Sequence, residues 1–174
     1  MPSLWPLFER WFGPRKDERV AVRPLWHRIV AIARDKAWYA ECGIADTVGG
    51  RFDAVTLVLA LVLLRMERDE ALIAPSVLLT ELFVTDMDGQ LRESGVGDVV
   101  VGKHVGRLMG VMGGRLGAYR DGLAGGDAAL EAAVARNVTL LAGAAPAPVA
   151  AKARALAEQL AATDASRLLA GEIA

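Results

Sequence analysis

Hydrophobic residues recur along this chain with the period of a helix rather than that of a strand. Between positions 79 and 91 they return every three or four places, which puts them on one face of a helix. These residues are Leu79, Leu82, Phe83, Met87 and Leu91. A second face of this kind follows, made of Val101, Val105, Leu108, Met112, Leu116 and Tyr119. Because convincing strand alternation is absent, the pattern predicts an all-α fold.

Proline, glycine and aspartate residues divide this pattern into about six helices. Proline fits the first turn of a helix, aspartate caps its N-terminus and glycine favours its end. With these signals, the predicted helices cover residues 24–41, 52–68, 75–94, 98–124, 127–141 and 148–163, with a break near Thr163. The short connections favour antiparallel neighbours in one single-domain bundle.

A chain of 174 residues is long enough for one domain with its own core. We expect an aromatic and basic N-terminal segment (1–22), a helical core (23–142), and a linker with an Ala-rich C-terminal helix packed on that core (143–174). Hydrophobic residues make up 53% of the sequence and charged residues 24%, as in an ordered globular protein.

Charge and cysteine content exclude several classes of protein. The net charge is −1, with basic ends and an acidic middle, whereas a nucleic-acid-binding protein usually has a strong basic excess on one face. Cys42 is the only cysteine, so an internal disulfide and a multi-cysteine metal site are excluded, and a reducing cytoplasm is the expected location. His27 and His104 lie on different predicted helices without an evident second ligand. We therefore expect no metal and no other cofactor.

The most apolar stretch of the chain is too short to cross a membrane. Asp53 and Arg65 bound the eleven residues 54–64, about 16 Å of helix against a bilayer core of about 30 Å. This stretch is predicted to be a buried helix. The N-terminus has neither the long apolar region nor the cleavage site of a signal peptide.

Asp86 and Asp88 follow an apolar run and precede Gly89, which raises the question of catalysis. A calcium loop is excluded, because its twelfth position requires a glutamate and this sequence has Gly97 there. A phosphatase-like hydrolase of the haloacid-dehalogenase type would use both aspartates, but it requires a strand at residues 81–85. The helical period runs through both aspartates, and no third group for acid–base chemistry is evident. The sequence therefore favours a non-enzyme, with the hydrolase as the alternative.

The residues around the two aspartates form an ordered series of charged, apolar and glycine positions. The series is Phe83, Asp86, Met87, Asp88, Leu91, Arg92, Glu93, Gly95, Val96, Gly97, Asp98, Gly102 and Lys103. It resembles the signature of the ubiquinol–cytochrome c chaperone family. The likeness extends from about Trp38 to about Arg120, roughly half of the chain.

This resemblance implies an all-helical, non-enzymatic assembly chaperone that binds newly made cytochrome b for the cytochrome bc1 complex. It places the protein in the cytoplasm or peripherally at the inner face of an energy-transducing membrane. Mitochondrial members of the family act with a small partner subunit at the ribosome. This chain resembles a bacterial-type member, and the sequence leaves open whether it needs the partner subunit or the ribosome. A generic helical interaction module with another client is the alternative.

The predicted fourth helix offers the best surface for a client. Glycines recur there every four residues at Gly102, Gly106, Gly110 and Gly114, although each interior glycine costs about 0.5 to 1 kcal/mol relative to alanine. The favoured interpretation is a ridge packed against the protein's own neighbouring helix, and the other is a groove for a client helix, flanked by flexible methionines. The candidate client or partner surface comprises Gly106, Arg107, Met109, Gly110 and Met112.

Two further groups of residues have alternative roles. Lys103 and Arg107 form a basic stripe that is expected to pair with Asp86, Asp88 or Glu93, or to be solvated. The N-terminal aromatic residues either pack on the bundle or lie in a membrane interface beside Arg10, Arg15 and Lys16. The candidate membrane-interface residues are Trp5, Phe8, Trp11 and Phe12.

Overall fold

The structure is a computed structural model that describes residues 17–93 and 98–173, with the side chains of residues 17–89 and 106–173. The helices, in chain order, are α1 (Arg23–Ala33), α2 (Ala37–Ala40), α3 (Val48–Met66), α4 (Ile73–Glu93), α5 (Asp98–Ala124), α6 (Asp127–Asn137), α7 (Ala147–Ala162) and α8 (Ala165–Leu169). Short 3-10 helices, Glu18–Val22 and Glu70–Leu72, precede α1 and α4. Within the described ranges there is no strand, only an isolated bridge between Ile44 and Leu140. The predicted all-α class is confirmed.

Helix α3 lies at the centre of the bundle. Thr47 caps its N-terminus, because its hydroxyl oxygen accepts the backbone N–H of Gly50 at 3.1 Å. Every residue from Ala54 to Leu64 except Val55 is buried, and α3 packs against α1, α4, α5 and α7. A helix that is apolar on all sides is expected in such a position, so the predicted buried helix is confirmed. None of the helices in the described ranges combines the length and apolar character needed to cross a membrane.

The helix predicted over residues 24–41 is divided into α1 and α2. Helix α1 ends at Ala33, and the side chain of Asp35 then accepts the backbone N–H of Ala37 at 3.0 Å, where α2 begins. The indole N–H of Trp38 donates to the carbonyl of Ile32 at 2.9 Å and buries the ring across the break. The aspartate side chain competes with a continuous helix for backbone groups, which explains the division.

Helix α6 ends at Asn137, before the predicted end at Leu141. The chain beyond it pairs with the segment that precedes α3. The N–H of Ala45 donates to the carbonyl of Thr139 at 2.9 Å, and the N–H of Leu141 donates to the carbonyl of Gly43 at 2.8 Å. These bonds between distant parts of the chain satisfy backbone groups that a longer helix would have satisfied locally.

A buried ion pair anchors α5 to α3. Nη2 of Arg115 lies 2.6 Å from Oδ1 of Asp53, a residue that is only 6% exposed. The other carboxylate oxygen of Asp53 accepts the backbone N–H (2.8 Å) and the hydroxyl (2.7 Å) of Thr139. Arg115 also donates to the hydroxyl of Thr56, and its guanidinium lies 5.4 Å from the ring centre of Phe52. One carboxylate thus connects α3, α5 and the segment after α6.

The C-terminal half of α5 continues this buried contact. Tyr119 is fully buried, and burial raises the pKa of its phenol well above the ordinary value. At Gly122 an added Cβ would lie 3.0 Å from Cα of Leu130, so α5 and α6 approach closely there. Met112 is also buried, and the predicted buried side of this helix is confirmed at Met112 and Tyr119.

Loss of the Arg115 guanidinium should destabilise the fold strongly. The substitution Arg115→Met leaves the buried carboxylate of Asp53 without its charged partner, so we expect the free energy of unfolding to fall by about 3–5 kcal/mol. Adding Asp53→Asn removes the uncompensated charge but keeps an oxygen for Thr139, and should recover most of that loss. Urea unfolding followed by far-UV circular dichroism measures both effects. An unchanged midpoint in the single variant would show that this ion pair does not anchor α5.

Candidate functional site

The first residue of the family-like series, Phe83, belongs to the core. Its ring is fully buried, with the Trp26 ring edge-on at 6.1 Å between centroids and the Phe52 ring tilted at 6.4 Å. These three aromatic residues come from α4, α1 and α3, so they join three helices. Met87, one turn further along α4, packs half-buried against the same core. This part of the series has a structural role.

Asp86 accepts a hydrogen bond from a buried tryptophan. The indole N–H of Trp26 donates to Oδ2 of Asp86 at 2.7 Å, although Asp86 itself lies on the exposed side of α4. A buried indole N–H normally requires such an acceptor. The sequence left open whether Lys103 and Arg107 pair with Asp86, Asp88 or Glu93 or are solvated; at Asp86 the structure shows the bond from Trp26. Arg107 is exposed, and Asp88 lies half-buried two residues after Asp86.

The backbone around the two aspartates is incompatible with the hydrolase hypothesis. Residues 81–85 lie inside α4, so the strand that would present the nucleophile is replaced by a helix. Across residues 17–89 and 106–173, no three His, Cys, Asp or Glu side chains are grouped in a way that could hold a metal ion. Cys42 is buried, and burial raises the pKa of its thiol.

The glycines of α5 are uncovered. At five of them a Cβ atom would meet no other atom within 4 Å, namely Gly106, Gly110, Gly113, Gly114 and Gly117. The favoured interpretation, a ridge packed against the protein's own helix, is therefore wrong over these positions. With about 3.6 residues per turn, Gly106 and Arg115 lie on opposite sides of the helix. The side of α5 that carries Arg115 faces α3, because Arg115 pairs with Asp53. The glycines on the opposite side of the helix therefore face outwards.

The two methionines of the candidate surface have different environments. Met109 is 42% exposed beside the glycines, whereas Met112 is 3% exposed and packs in the core. Met112 therefore does not lie on the open surface, and the expectation that it flanks a client groove is wrong. The open side of α5, here termed the glycine face, consists of Gly106, Met109, Gly110, Gly113, Gly114 and Gly117. Arg107 lies at its border.

An apolar groove adjoins the glycine face and is called the α4 groove below. It encloses about 560 Å³ and is lined by Arg19, Ser76, Val77, Thr80, Glu81, Val84, Thr85 and Met109. Large hydrophobic side chains are exposed in this region. They are Ile73, Val77, which is 56% exposed, and Met109, together with Val20 beside Arg19. Because these exposed apolar side chains line a concavity, a partner could cover them. Since Met109 belongs to both, the groove and the glycine face adjoin at this residue.

A second concavity lies between α1 and α7, and the charged groups in its wall already have partners. It encloses about 390 Å³, and Nζ of Lys152 lies 2.7 Å from Oδ2 of Asp35 and 5.0 Å from the ring centre of Trp38. The guanidinium of Arg28, also in its wall, donates to the carbonyl of Ile173 at 2.7 Å. These charged groups are occupied by partners within the protein, and the concavity offers less apolar surface than the α4 groove.

Part of the predicted site lies outside the described residues. This holds for Trp5, Phe8, Trp11 and Phe12, and for Gly95, Val96 and Gly97. For Leu91, Arg92, Glu93, Asp98, Gly102 and Lys103 the structure describes only the backbone, which is helical.

Sequence reasoning missed the α4 groove. The signal was a second apolar stripe on α4, in which Ile73, Val77 and Val84 are separated by four and seven residues. This second stripe is weaker than the stripe that includes Leu79 and Phe83, and the prediction from the sequence rested on the stronger one alone. A helix with two apolar stripes needs a packing partner for each stripe. Within the described residues, the bundle buries only one stripe of α4.

Comparison with known proteins identifies the family. A family model described as "Ubiquinol-cytochrome C chaperone" matches residues 40–174. No curated protein matches the chain. The fold is similar to a solved structure described as the crystal structure of the Cbp3 homolog from Brucella abortus, with 33% sequence identity, a TM-score of 0.79, and coverage of 99% of this chain and 96% of that chain. With the family model matching far more than half of its residues, this chain belongs to the ubiquinol-cytochrome c chaperone family.

Proposed function

We propose that this protein is a non-enzymatic chaperone that binds newly made cytochrome b and holds it for assembly into the cytochrome bc1 complex. Membership of the chaperone family supports a role in protein assembly. The observation that carries the proposal is the uncovered glycine face of α5. The client-binding surface in this proposal is the glycine face together with Arg107.

The glycine face has a cost that no contact inside the described part of the protein offsets. Each interior glycine destabilises a helix by about 0.5 to 1 kcal/mol relative to alanine. Glycines repay that cost where another backbone must come close, as at Gly122 against Leu130. At Gly106, Gly110 and Gly113 the space is empty. An external helix that approaches backbone to backbone accounts for these glycines.

A membrane-protein helix suits this surface. Small residues at four-residue spacing allow close packing of helices whose own sides are apolar. Met109 adds a flexible, polarizable side chain that adapts to different client shapes. Arg107 provides a cation at the border, where it can meet an acidic group of the client. The surface is thus apolar and adaptable without requiring a fixed client sequence.

In this proposal the protein meets its client at the inner face of the cytoplasmic membrane, while the ribosome is making cytochrome b. A chaperone at this place shields apolar segments between synthesis and assembly. The proposal does not depend on a small partner subunit, because the glycine face is already open in the single chain.

Deletion of the gene should lower the amount of assembled bc1 complex. Blue native electrophoresis and the absorbance of cytochrome b in membranes measure the complex, and the wild-type gene should restore it. We expect the other respiratory complexes to be unchanged, because their subunits are different clients. Unchanged bc1 levels in the deletion strain would mean that the client is another protein.

Alanine at the open glycines should separate stability from client binding. We expect Gly106→Ala, Gly110→Ala and Gly113→Ala each to raise the free energy of unfolding by about 0.5–1 kcal/mol, since their Cβ atoms meet nothing. The triple variant should also bind cytochrome b more weakly, measured by photo-crosslinking during its synthesis.

The matched control in the same helix is Gly122→Ala. Its Cβ would press against Leu130, so we expect this variant to be less stable, while its client surface is unaltered. A stabilised triple variant that crosslinks to cytochrome b as well as the wild type would remove the glycine face from the proposal.

Two substitutions at Asp86 distinguish its structural role from a catalytic one. Asp86→Asn keeps an oxygen that accepts the Trp26 indole N–H, so we expect near-normal stability and full rescue of the deletion strain. Asp86→Leu leaves that buried donor without a partner and should cost about 1–3 kcal/mol of stability. Urea unfolding and the bc1 level provide the measurements. Loss of rescue by a stable Asp86→Asn protein would point to chemistry at this carboxylate.

A further inference from the structure

We propose that residues 1–16 occupy the α4 groove while no client is bound, so that the chain's own aromatic segment substitutes for the client. The groove is an apolar concavity open on the surface of the described residues, and its wall includes Met109 of the glycine face. An occupant of the groove therefore covers part of the proposed client surface.

The point from which residues 1–16 extend is fixed at the rim of the groove. The carboxylate of Asp17 accepts the backbone N–H of Arg19 at 3.2 Å and its Nε–H at 2.8 Å. Nη1 of Arg19 donates to the hydroxyl of Thr85 at 3.2 Å, and both residues line the groove. The 3-10 helix Glu18–Val22 packs on α4. Asp17, which directly follows residues 1–16 in the sequence, is thus held beside an exposed apolar surface.

The composition of the segment complements the groove. The groove has apolar walls formed by Val77, Val84 and Met109, and the exposed carboxylate of Glu81 lies at its rim. Residues 1–16 contain the large apolar side chains Trp5, Leu7, Phe8, Trp11 and Phe12 and the cations Arg10, Arg15 and Lys16. Aromatic rings bury much apolar area for little loss of side-chain freedom. These cations are opposite in sign to Glu81, and the cation in the groove wall, Arg19, is already paired with Asp17 at 2.8 Å.

The segment is long enough to fill the groove. The wall on α4 runs from Ser76 to Thr85, roughly 14 Å at the helical rise of about 1.5 Å per residue. Residues 1–16 span about 24 Å as a helix and about 50 Å when extended. Either form therefore reaches along the whole wall.

Tethering makes even a weak contact effective. A short link gives an effective concentration on the order of 1 mM, so a segment with a dissociation constant of about 0.1 mM would occupy the groove most of the time. An external apolar ligand would then bind about tenfold more weakly than to an open groove. This regulatory consequence rests on the proposed function, whereas the contact between segment and groove does not.

Crosslinking of the purified full chain tests the contact without any client. Phe8→Cys is combined with Val77→Cys in the groove, or with Ala155→Cys on the exposed side of α7, and both proteins are treated with a short bismaleimide. We expect the intramolecular product, identified by mass spectrometry, to form severalfold faster with Val77→Cys. The buried Cys42 is controlled for by the single variants. Equal rates for the two pairs would overturn the proposal.

Binding of an apolar dye to the full chain provides a second readout. Replacing Trp5, Phe8, Trp11 and Phe12 together by serine should increase the affinity for 1-anilinonaphthalene-8-sulfonate by about tenfold, and adding Val77→Asp should abolish the gain. If the segment belongs to a membrane, the serine variant will instead lose binding to anionic vesicles with no gain in dye binding, which overturns the proposal. Neither readout involves cytochrome b, so the failure of this inference is distinguishable from failure of the proposed function.

Discussion

The carboxylate of Asp53 is the constraint on which the arrangement of the bundle depends. A buried charge is tolerated only when it is paired and its remaining oxygens accept hydrogen bonds. Arg115 and Thr139 meet that condition for Asp53 from two distant segments. Since Arg115 projects from one side of α5, satisfying the carboxylate also sets the rotation of that helix. The outward direction of Gly106 and Gly110 follows from a polar interaction in the core.

The same arrangement divides α5 into two functional parts. The C-terminal part, with Tyr119 and Gly122, is packed against α3 and α6 and carries the stability of the helix. Around Gly106 and Gly110 an added Cβ would meet no other atom, so this part keeps an open, low-relief side. Helical stability in proteins comes mostly from tertiary packing, so one firmly held half allows the other to remain open. The client surface proposed above depends on this combination, because a side covered by the protein's own core would be closed to a client.

Much of the fold could be predicted, because the spacing of hydrophobic residues along the sequence indicates which of them share a side of a helix. The buried sides of α4 and α5 and the burial of α3 follow directly from that spacing. The prediction failed where a polar side chain or a distant backbone intervened. Asp35 divides the first predicted helix by capping Ala37, and pairing of Thr139 with Ala45 ends α6 early. Neither effect is visible in a window of neighbouring residues.

The sequence by itself determined the helical class, the central apolar helix and the likeness to the chaperone family, because these depend on composition, period and ordered residues within short windows. The tertiary structure alone decided which side of α5 is open, that Asp86 accepts the indole of Trp26, and that Met109 and Met112 have opposite environments. The reason is physical. Period shows which residues lie together on a helix, but the side that meets a neighbour is chosen by contacts such as Asp53 with Arg115, 62 residues apart.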